Sequence, residues 1–281
     1  MSGLPFIKMH GLGNDFVVLD ARATPIDLTV GQVQAMADRR TGAGCDQFIV
    51  METAQHKDAD VFMRIRNADG NEVEACGNAT RCIARLVMDE TGKSEVVVET
   101  VVGLLHACEG ENAMVCVNMG AARLDWYEIP TAEECDTLNM PVTVGPLEGP
   151  VGVNVGNPHA VYFVDDCEAV DLTAAGPHVE THPFFPERIN VEVVSKLDDN
   201  RLRMRVWERG VGITQACGTG ACATLVAAVR RGIIDGRKAE IILDGGSLMI
   251  EWLENGDILM TGPASRAFSA TFDVSIYPGV V

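Results

Sequence analysis

Short apolar segments separated by turn residues run along most of the chain. They are rich in Val, Ile, Phe and Met, and their close spacing is typical of the antiparallel parts of a mixed fold. We predict strands at Phe16–Asp20, Gln47–Glu52, Val61–Asn67, Glu95–Thr100, Met114–Met119, Val161–Asp165, Leu202–Glu208, Glu240–Leu243 and Ser247–Trp252.

Three further segments have helical character. Ile83–Met88 and Ala223–Val229 are dominated by apolar residues, and because the second is apolar on nearly every side, we expect it to be a buried central helix. A helix over Val30–Arg40 is also predicted, with Thr29 as its cap and with an apolar face formed by Val30, Val33, Met36 and Ala37.

The chain contains an internal repeat. Residues 75–82 and 216–222 both begin Ala-Cys-Gly, and their cysteines lie 141 residues apart, about half the chain. Further pairs occur in the same order at nearly constant spacing: Asn14 with Asn157, Asn67 with Glu208, and Gly92 with Gly232. We therefore expect two homologous domains, residues 1–122 completed by a C-terminal strand at 267–281, and residues 123–266, with the active site in the cleft between them.

The net charge of −18 and the pI near 4.6 argue against a nucleic-acid or anionic membrane partner, because phosphate binding needs clustered Lys and Arg. The first residues do not resemble a secretory signal, and the apolar runs are shorter than the ~20 residues of a membrane span. We expect a cytoplasmic protein whose nine cysteines are mostly thiols.

Cys76 and Cys217 each stand where a strand or loop gives way to a predicted helix. The N–H groups and positive potential of a helix N-terminus favour a thiolate, and the same groups can hold a carboxylate. Two such sites in matching halves suit a ligand that is held by its carboxylate with one sulfur on each face. This arrangement predicts inversion at an α-carbon, with one thiolate removing a proton and the opposite thiol delivering one.

The remaining cysteines are interpreted as small buried apolar residues: Cys45, Cys82, Cys108, Cys116, Cys135, Cys167 and Cys222. The chain has no Cys-x-x-Cys or His-Glu-x-x-His motif, and Gly11-Leu12-Gly13-Asn14 lacks the third glycine of a dinucleotide fingerprint. We therefore expect neither a metal nor another cofactor.

At these positions the sequence resembles the diaminopimelate epimerase family along its whole length. The matching segments are Lys8–Phe16, Asp46-Gln47, Asn67–Gly70, Ala75–Asn78, Gly156–His159, Pro186–Asn190, Glu208–Gly210, Gln215–Gly220 and Gly245–Trp252. The resemblance implies interconversion of LL- and meso-diaminopimelate, in lysine and peptidoglycan-precursor biosynthesis, without pyridoxal phosphate or metal. It also implies an α+β fold of two pseudo-symmetric domains, each a mostly antiparallel curled sheet around a central helix, in a homodimer.

The resemblance further implies a role for individual residues. Cys76 would be the proton donor and Cys217 the proton acceptor in the LL to meso direction, with His159 and Glu208 adjusting the thiol pKa values. The substrate-binding residues would be Asn14, Gln47, Asn67, Gly77, Asn78, Asn157, Asn190, Glu208, Arg209, Gly218 and Thr219. Two positions depart from the family pattern: Ala79 replaces a usual glycine, and Cys45 replaces a different, often aromatic, residue.

Three alternatives remain open from the residues. A proline racemase or hydroxyproline epimerase shares the two-cysteine logic but binds a ring with a single carboxylate. Arg209, which has only Ala68 as its counterpart in the first repeat, favours a longer substrate with a second anionic end. A thiol–disulfide redox protein and a non-catalytic binding scaffold are less compatible with two cysteines in glycine-rich cradles.

Overall fold

The computed structural model describes residues 3–73, 76–273, 275 and 277. The chain forms two compact units, one reaching Val117 and resuming at Gly262, the other spanning Asn118–Thr261. The helices are α1 (Val30–Ala37), α2 (Gly77–Thr91), α3 (Leu172–Glu180) and α4 (Gly218–Arg230). The strands are β1 (Leu4–Gly11), β2 (Asn14–Asp20), β3 (Gln47–Glu52), β4 (Val61–Asn67), β5 (Glu72–Val73), β6 (Glu95–Thr100), β7 (Gly103–Glu109), β8 (Val115–Ala121), β9 (Thr143–Val144), β10 (Leu147–Glu148), β11 (Val151–Asn154), β12 (Pro158–Phe163), β13 (Asn190–Asp198), β14 (Arg201–Glu208), β15 (Gly212–Ile213), β16 (Lys238–Leu243), β17 (Gly246–Trp252), β18 (Asp257–Gly262) and β19 (Ser265–Phe272).

The two units repeat one pairing pattern. In the first unit, β1, β2, β3, β4, β6, β7 and β8 pair successively as antiparallel, parallel, antiparallel, parallel, antiparallel and antiparallel neighbours. In the second, β11, β12, β13, β14, β16, β17 and β18 pair in the same order with the same orientations. The predicted α+β fold with two pseudo-symmetric, mostly antiparallel sheets is therefore confirmed.

Equivalent helices occupy equivalent places in the two sheets. α1 and α3 each follow the second strand of their pattern, while α2 and α4 each precede the fifth. α4 packs against β11, β12, β13, β16 and β17, and almost every one of its residues is buried, as its apolar sequence predicts. Burying Leu225 or Val226 in this way contributes about 1.5–3 kcal/mol for each side chain.

α2 has clear signals at both of its ends. It begins directly after Cys76, whose backbone is extended, and it ends at Gly92, which adopts the left-handed conformation at φ 70°. The Gly92 N–H donates to the Met88 carbonyl, so a last-turn carbonyl is satisfied at the point where only glycine adopts this φ without strain. None of the helices in the described part of the chain has the length and apolar character needed to cross a membrane.

The prediction for α1 is correct at its start and wrong at its end. Thr29 forms the expected cap, and its side chain and that of Gln32 exchange bonds with each other's backbone N–H groups. The helix stops at Ala37 rather than Arg40 because Asp38 is extended. Val30, assigned to the apolar face, is 47% exposed, whereas the capping-box residue Gln32 is buried.

Each predicted strand is present, and Gln47–Glu52, Val61–Asn67 and Glu95–Thr100 have the predicted bounds. Several elements were not predicted from the sequence: β1, β7, β11, β13, β18 and α3. Near the C-terminus the strand is Ser265–Phe272, which pairs antiparallel with β1, while residues 274, 276 and 278–281 lie outside the described part of the chain. Phe272 stacks on Phe6 at a ring-centroid distance of 4.3 Å, which anchors this strand in the first unit.

Candidate active site

Cys76 and Cys217 are the N-caps of α2 and α4. Both have extended backbones, and their carbonyls accept the first helical bonds, from Thr80 N at 2.9 Å and from Ala221 N at 3.0 Å. The first helical residue is a glycine in both cases. The structure therefore places the two thiols at the same position in the two units, where helix N–H groups can hold an anion.

In the first unit, Cys76 faces an amide oxygen. Its sulfur lies 3.7 Å from Asn14 Oδ1, and the same oxygen accepts from Asn78 Nδ2 at 3.2 Å. The Asn14 amide nitrogen donates to Asp46 at 3.1 Å, while Asn78 Oδ1 accepts from the Arg81 guanidinium at 2.8 Å. These bonds fix which end of each amide faces the sulfur, so the Cys76 thiol donates to Asn14.

Gln47 and Asn67 form the second predicted group of this unit. They lie directly opposite each other in β3 and β4, and Gln47 Nε2 donates to Asn67 Oδ1 at 3.2 Å. The buried Gln47 Oε1 has no hydrogen-bond partner among the described residues. Since a buried acceptor is costly when it is unpaired, this oxygen is suited to receive a donor from a ligand.

In the second unit, Cys217 is only 5% exposed. Its sulfur accepts the Gly220 N–H at 3.3 Å and lies 3.4 Å from Thr219 Oγ1. The half-buried Glu208 hydrogen-bonds the same thiol and accepts a bond from the Thr214 hydroxyl. Cys217, Thr219 and Glu208, all predicted as site residues, are thus brought together.

The ionisation of Cys217 differs from the prediction. Burial raises the pKa of this thiol well above its ordinary value, and the carboxylates of Glu208 and Glu192 raise it further. The bonds from Thr219 and from the Gly220 N–H oppose this shift without overcoming it. The expectation that a helix N-terminus makes this thiol easier to ionise is therefore wrong for the structure as it stands. Burial raises the pKa of Glu208 as well.

The structure adds Glu192, which was not predicted. Its side chain and that of His159 are both completely buried, and His159 Nδ1 lies 2.7 Å from Glu192 Oε1. His159 Nε2 lies 2.8 Å from Asn157 Oδ1, so the pair reaches a predicted substrate-binding residue. The sequence signal for Glu192 is a single charged residue inside the apolar run Val191–Val194. Because side chains alternate between the two faces of a strand, such a residue can also face solvent, and the signal does not identify a buried site residue.

Asn190 and Arg209 lie beside this group. The Asn190 side chain donates to the Pro158 carbonyl at 2.9 Å and accepts the Arg209 backbone N–H at 2.9 Å. The exposed Arg209 guanidinium donates to the Glu187 carbonyl at 3.1 Å and has no carboxylate partner among the described residues. Its charge is therefore available for an anionic ligand.

The other cysteines are not joined in disulfides. Cys45, Cys82, Cys167 and Cys222 are buried, whereas Cys108, Cys116 and Cys135 are half-buried. Burial raises the pKa of Cys45 to about 11 and that of Cys82 to about 12, so both stay protonated at neutral pH. Within the described ranges, no cluster of three or more His, Cys, Asp or Glu side chains is arranged to hold a metal.

The third residue after the cap is one of the positions at which the two helix starts differ. Three residues after the cap, α2 has Ala79 and α4 has Gly220. A methyl group on Gly220 would lie 2.7 Å from Glu192 Oε1 and 3.3 Å from the Cys217 sulfur. The absence of a side chain at this position lets the buried carboxylate approach the helix start.

We predict that Gly220→Ala lowers stability, although alanine is the better helix former. Helix propensity alone would stabilise the protein by about 1 kcal/mol, whereas overpacking a buried site costs about 1–3 kcal/mol. The matched variant Ala79→Gly should cost about 1–2 kcal/mol, because it lowers helix propensity and removes a completely buried methyl group. Urea denaturation of both variants measures the difference, and a Gly220→Ala protein more resistant than the wild type contradicts this account of the contact.

Comparison with known proteins identifies the family of the chain. The diaminopimelate epimerase family model matches residues 6–124 and 151–267. A diaminopimelate epimerase of Rhodospirillum centenum is 57% identical over 274 residues, covering 98% of this chain and 94% of that protein. One from Erythrobacter litoralis is 53% identical over 273 residues, covering 97% of this chain and 98% of that protein.

A solved structure supports the fold alone. The crystal structure of an Agrobacterium radiobacter K84 protein described as a proline racemase has a TM-score of 0.70 at 14% identity, covering 98% of this chain and 94% of that one. The sequence matches, which extend over nearly the full length, decide the family. The chain belongs to the diaminopimelate epimerase family.

Proposed function

We propose that the protein converts LL-2,6-diaminopimelate to meso-diaminopimelate by moving a proton between the substrate α-carbon and two thiols. The observation that carries the proposal is the pair of cysteines that cap equivalent helices in two units of the same pairing pattern. Stereochemical inversion needs one proton-transfer group on each face of the carbon. The internal repeat provides one such group in each unit.

The helix starts account for binding at the reacting centre. Backbone N–H groups in Gly77-Asn78 and in Gly218-Thr219 hold the α-carboxylate, and they stabilise the charge that develops on it as the proton leaves. In the LL to meso direction the Cys217 thiolate takes the α-proton and becomes a thiol. The Cys76 thiol then delivers a proton to the opposite face and becomes a thiolate, and the reverse reaction exchanges these roles.

Because the pKa of Cys217 is raised, we propose that the bound substrate itself helps to form the thiolate. Next to Glu208 and Glu192 the thiol is held in its protonated form. The α-ammonium group of an amino acid, bound beside Glu208, offsets this negative charge and favours the thiolate. A thiol with a higher pKa gives a thiolate that is a stronger base toward the α-proton, provided that water is excluded from the site.

The far end of diaminopimelate is a second amino-acid group, and the site contains polar side chains suited to it. Within the described part of the chain the Arg209 guanidinium has no carboxylate partner, and a planar guanidinium binds a carboxylate through two parallel hydrogen bonds. Asn67, Asn157 and Asn190 supply amide donors and acceptors. Proline has no distal charged end, which is why we favour diaminopimelate over the proline racemase alternative.

We further propose that the enzyme works without pyridoxal phosphate or metal, as a homodimer in the cytoplasm. The two thiols and the helix N–H groups supply the acid, the base and the anion stabilisation that the reaction requires. β19 exposes six consecutive residues, among them Phe268 at 49%, which is a surface suited to a second copy of the chain. Sedimentation velocity tests the dimer, and assays in chelator test independence from metal.

The proposed reaction is tested with LL-diaminopimelate in deuterated water. We expect meso product that carries one solvent deuterium at the inverted α-carbon, because the delivered proton comes from a thiol that exchanges with solvent. Cys76→Ala and Cys217→Ala should each abolish epimerisation, since each removes the group serving one face. Cys135→Ala, which changes a half-buried thiol outside the site, is the matched control. Epimerisation in either site variant at more than a few per cent of the wild-type rate contradicts the two-thiol scheme.

A second prediction concerns substrate choice through Arg209. Removing one partner of a desolvated charge pair costs about 2–5 kcal/mol, roughly 30-fold or more in binding. Arg209→Met should therefore reduce kcat/KM for diaminopimelate by at least that factor, while Arg201→Met, at an exposed hairpin, leaves it unchanged. Steady-state assays give both values, and efficient racemisation of proline or lysine by the wild type would assign the protein to another substrate.

A further inference from the structure

The buried pair His159–Glu192 exists in one unit only. Phe16 lies opposite Gln47 in β2 and β3, as His159 lies opposite Asn190 in β12 and β13. Two residues beyond Gln47 and Asn190 stand Ile49 and Glu192, so the first unit has an apolar pair, Phe16 and Ile49, where the second has an ionisable pair. All four residues are fully buried.

This comparison shows that packing alone does not explain the ionisable pair. The first unit shows that the same sheet register can be filled by a phenylalanine and an isoleucine. A buried ionisable pair is often no more stable than an apolar pair of similar volume, and breaking it leaves an uncompensated charge. The fold itself therefore does not require His159 and Glu192.

The hydrogen bonds around His159 determine how many protons the pair holds. Asn157 Oδ1 can only accept, so the hydrogen in its bond to His159 belongs to Nε2. The 2.7 Å contact between Nδ1 and Glu192 Oε1 requires another hydrogen between those atoms. Whether that hydrogen resides on the ring or on the carboxyl, His159 and Glu192 together are neutral.

The groups that face this pair are acidic. Glu208 from β14 and Cys217 from α4 are close enough to interact electrostatically with Glu192, and Thr219 adds only a neutral hydroxyl. A methyl group on Gly220 would touch both Glu192 Oε1 and the Cys217 sulfur, so these two atoms lie within about 6 Å of each other, from contacts of 2.7 and 3.3 Å. Without the shared proton, ionisation of Cys217 would place a third negative charge in this buried space.

We propose that Glu192 is a positioning residue that holds His159 and Asn157 in one orientation and, with His159, retains a proton that limits the negative charge around Cys217. With Nε2 donating to its oxygen, Asn157 turns its NH₂ group outward as a donor for the substrate. The equivalent positions of the first unit hold Phe16 and Ile49, and we infer the effect of the ionisable pair for Cys217. This inference rests on the proposed function for its effect on turnover.

Glu192→Gln tests the proposal, because glutamine keeps the shape and removes the ionisable group. At metal-bound histidines, losing the partner that orients the ring costs about 10- to 100-fold, and we expect a fall of that size in kcat. We also expect the pH–rate profile to change, because the carboxyl group that shares a proton with the ring is gone. The matched control is Glu180→Gln, another buried carboxylate, which accepts from Trp207 and Gly210 and should leave the profile unchanged.

A double variant distinguishes positioning from a structural role. His159→Phe combined with Glu192→Ile copies the residues of the first unit and should unfold at nearly the wild-type temperature while turnover is lost. A double variant that fails to fold overturns the proposal, because the pair is then required for packing. Wild-type kcat and an unshifted pH–rate profile in Glu192→Gln also overturn it.

Proton NMR keeps this inference distinguishable from the proposed function. The proton between His159 and Glu192 should give a low-field resonance in the wild type that is missing in Glu192→Gln, whatever the reaction. A wild type that shows this resonance but does not epimerise diaminopimelate refutes the function and leaves the proton-holding pair intact. A wild type that epimerises diaminopimelate but lacks the resonance refutes the pair alone.

Discussion

The burial of negative charge beside Cys217 is the constraint on which the second unit's site depends. Glu192 is completely buried and reaches the start of α4 only because Gly220 has no side chain. Glu208 brings a second carboxylate to the same thiol, and together they hold its pKa high. The proton that we propose His159 and Glu192 share, and the proposed part of a cationic substrate group, both serve to balance that charge.

The internal duplication allows negative charge to be buried in one unit while the equivalent positions of the other unit stay apolar. Both units use the same order of strand pairings and place a cysteine at the same helix cap, so the backbone offers two equal positions for a thiol. The side chains beneath the caps are unequal. Phe16 and Ile49 fill one pair of buried sheet positions in the first unit, and the ionisable His159 and Glu192 fill the equivalent pair in the second. Two identical thiols can thereby differ in basicity.

The sequence predicts this molecule well where a signal is local or repeated. The Ala-Cys-Gly segments predict both helix caps, and Thr29 predicts the start of α1, because capping depends on a few neighbouring residues. Glu192 could not be found in this way, since a single charged residue in a strand is compatible with either face of a sheet. The raised pKa of Cys217 also depends on tertiary burial and on carboxylates from other strands, neither of which is visible from a helix start.

The difference between the cap cysteines Cys76 and Cys217 can be measured directly through the alkylation of their thiols. Limiting iodoacetamide, added to the protein without substrate at neutral pH, should alkylate Cys76 before Cys217, as read by peptide mass spectrometry. Cys217 should react only as the pH rises above the range in which ordinary cysteines ionise, because its pKa is raised by burial and by Glu208 and Glu192. Preferential labelling of Cys217 at neutral pH would contradict the account, since it would show that the buried carboxylates do not control this thiol.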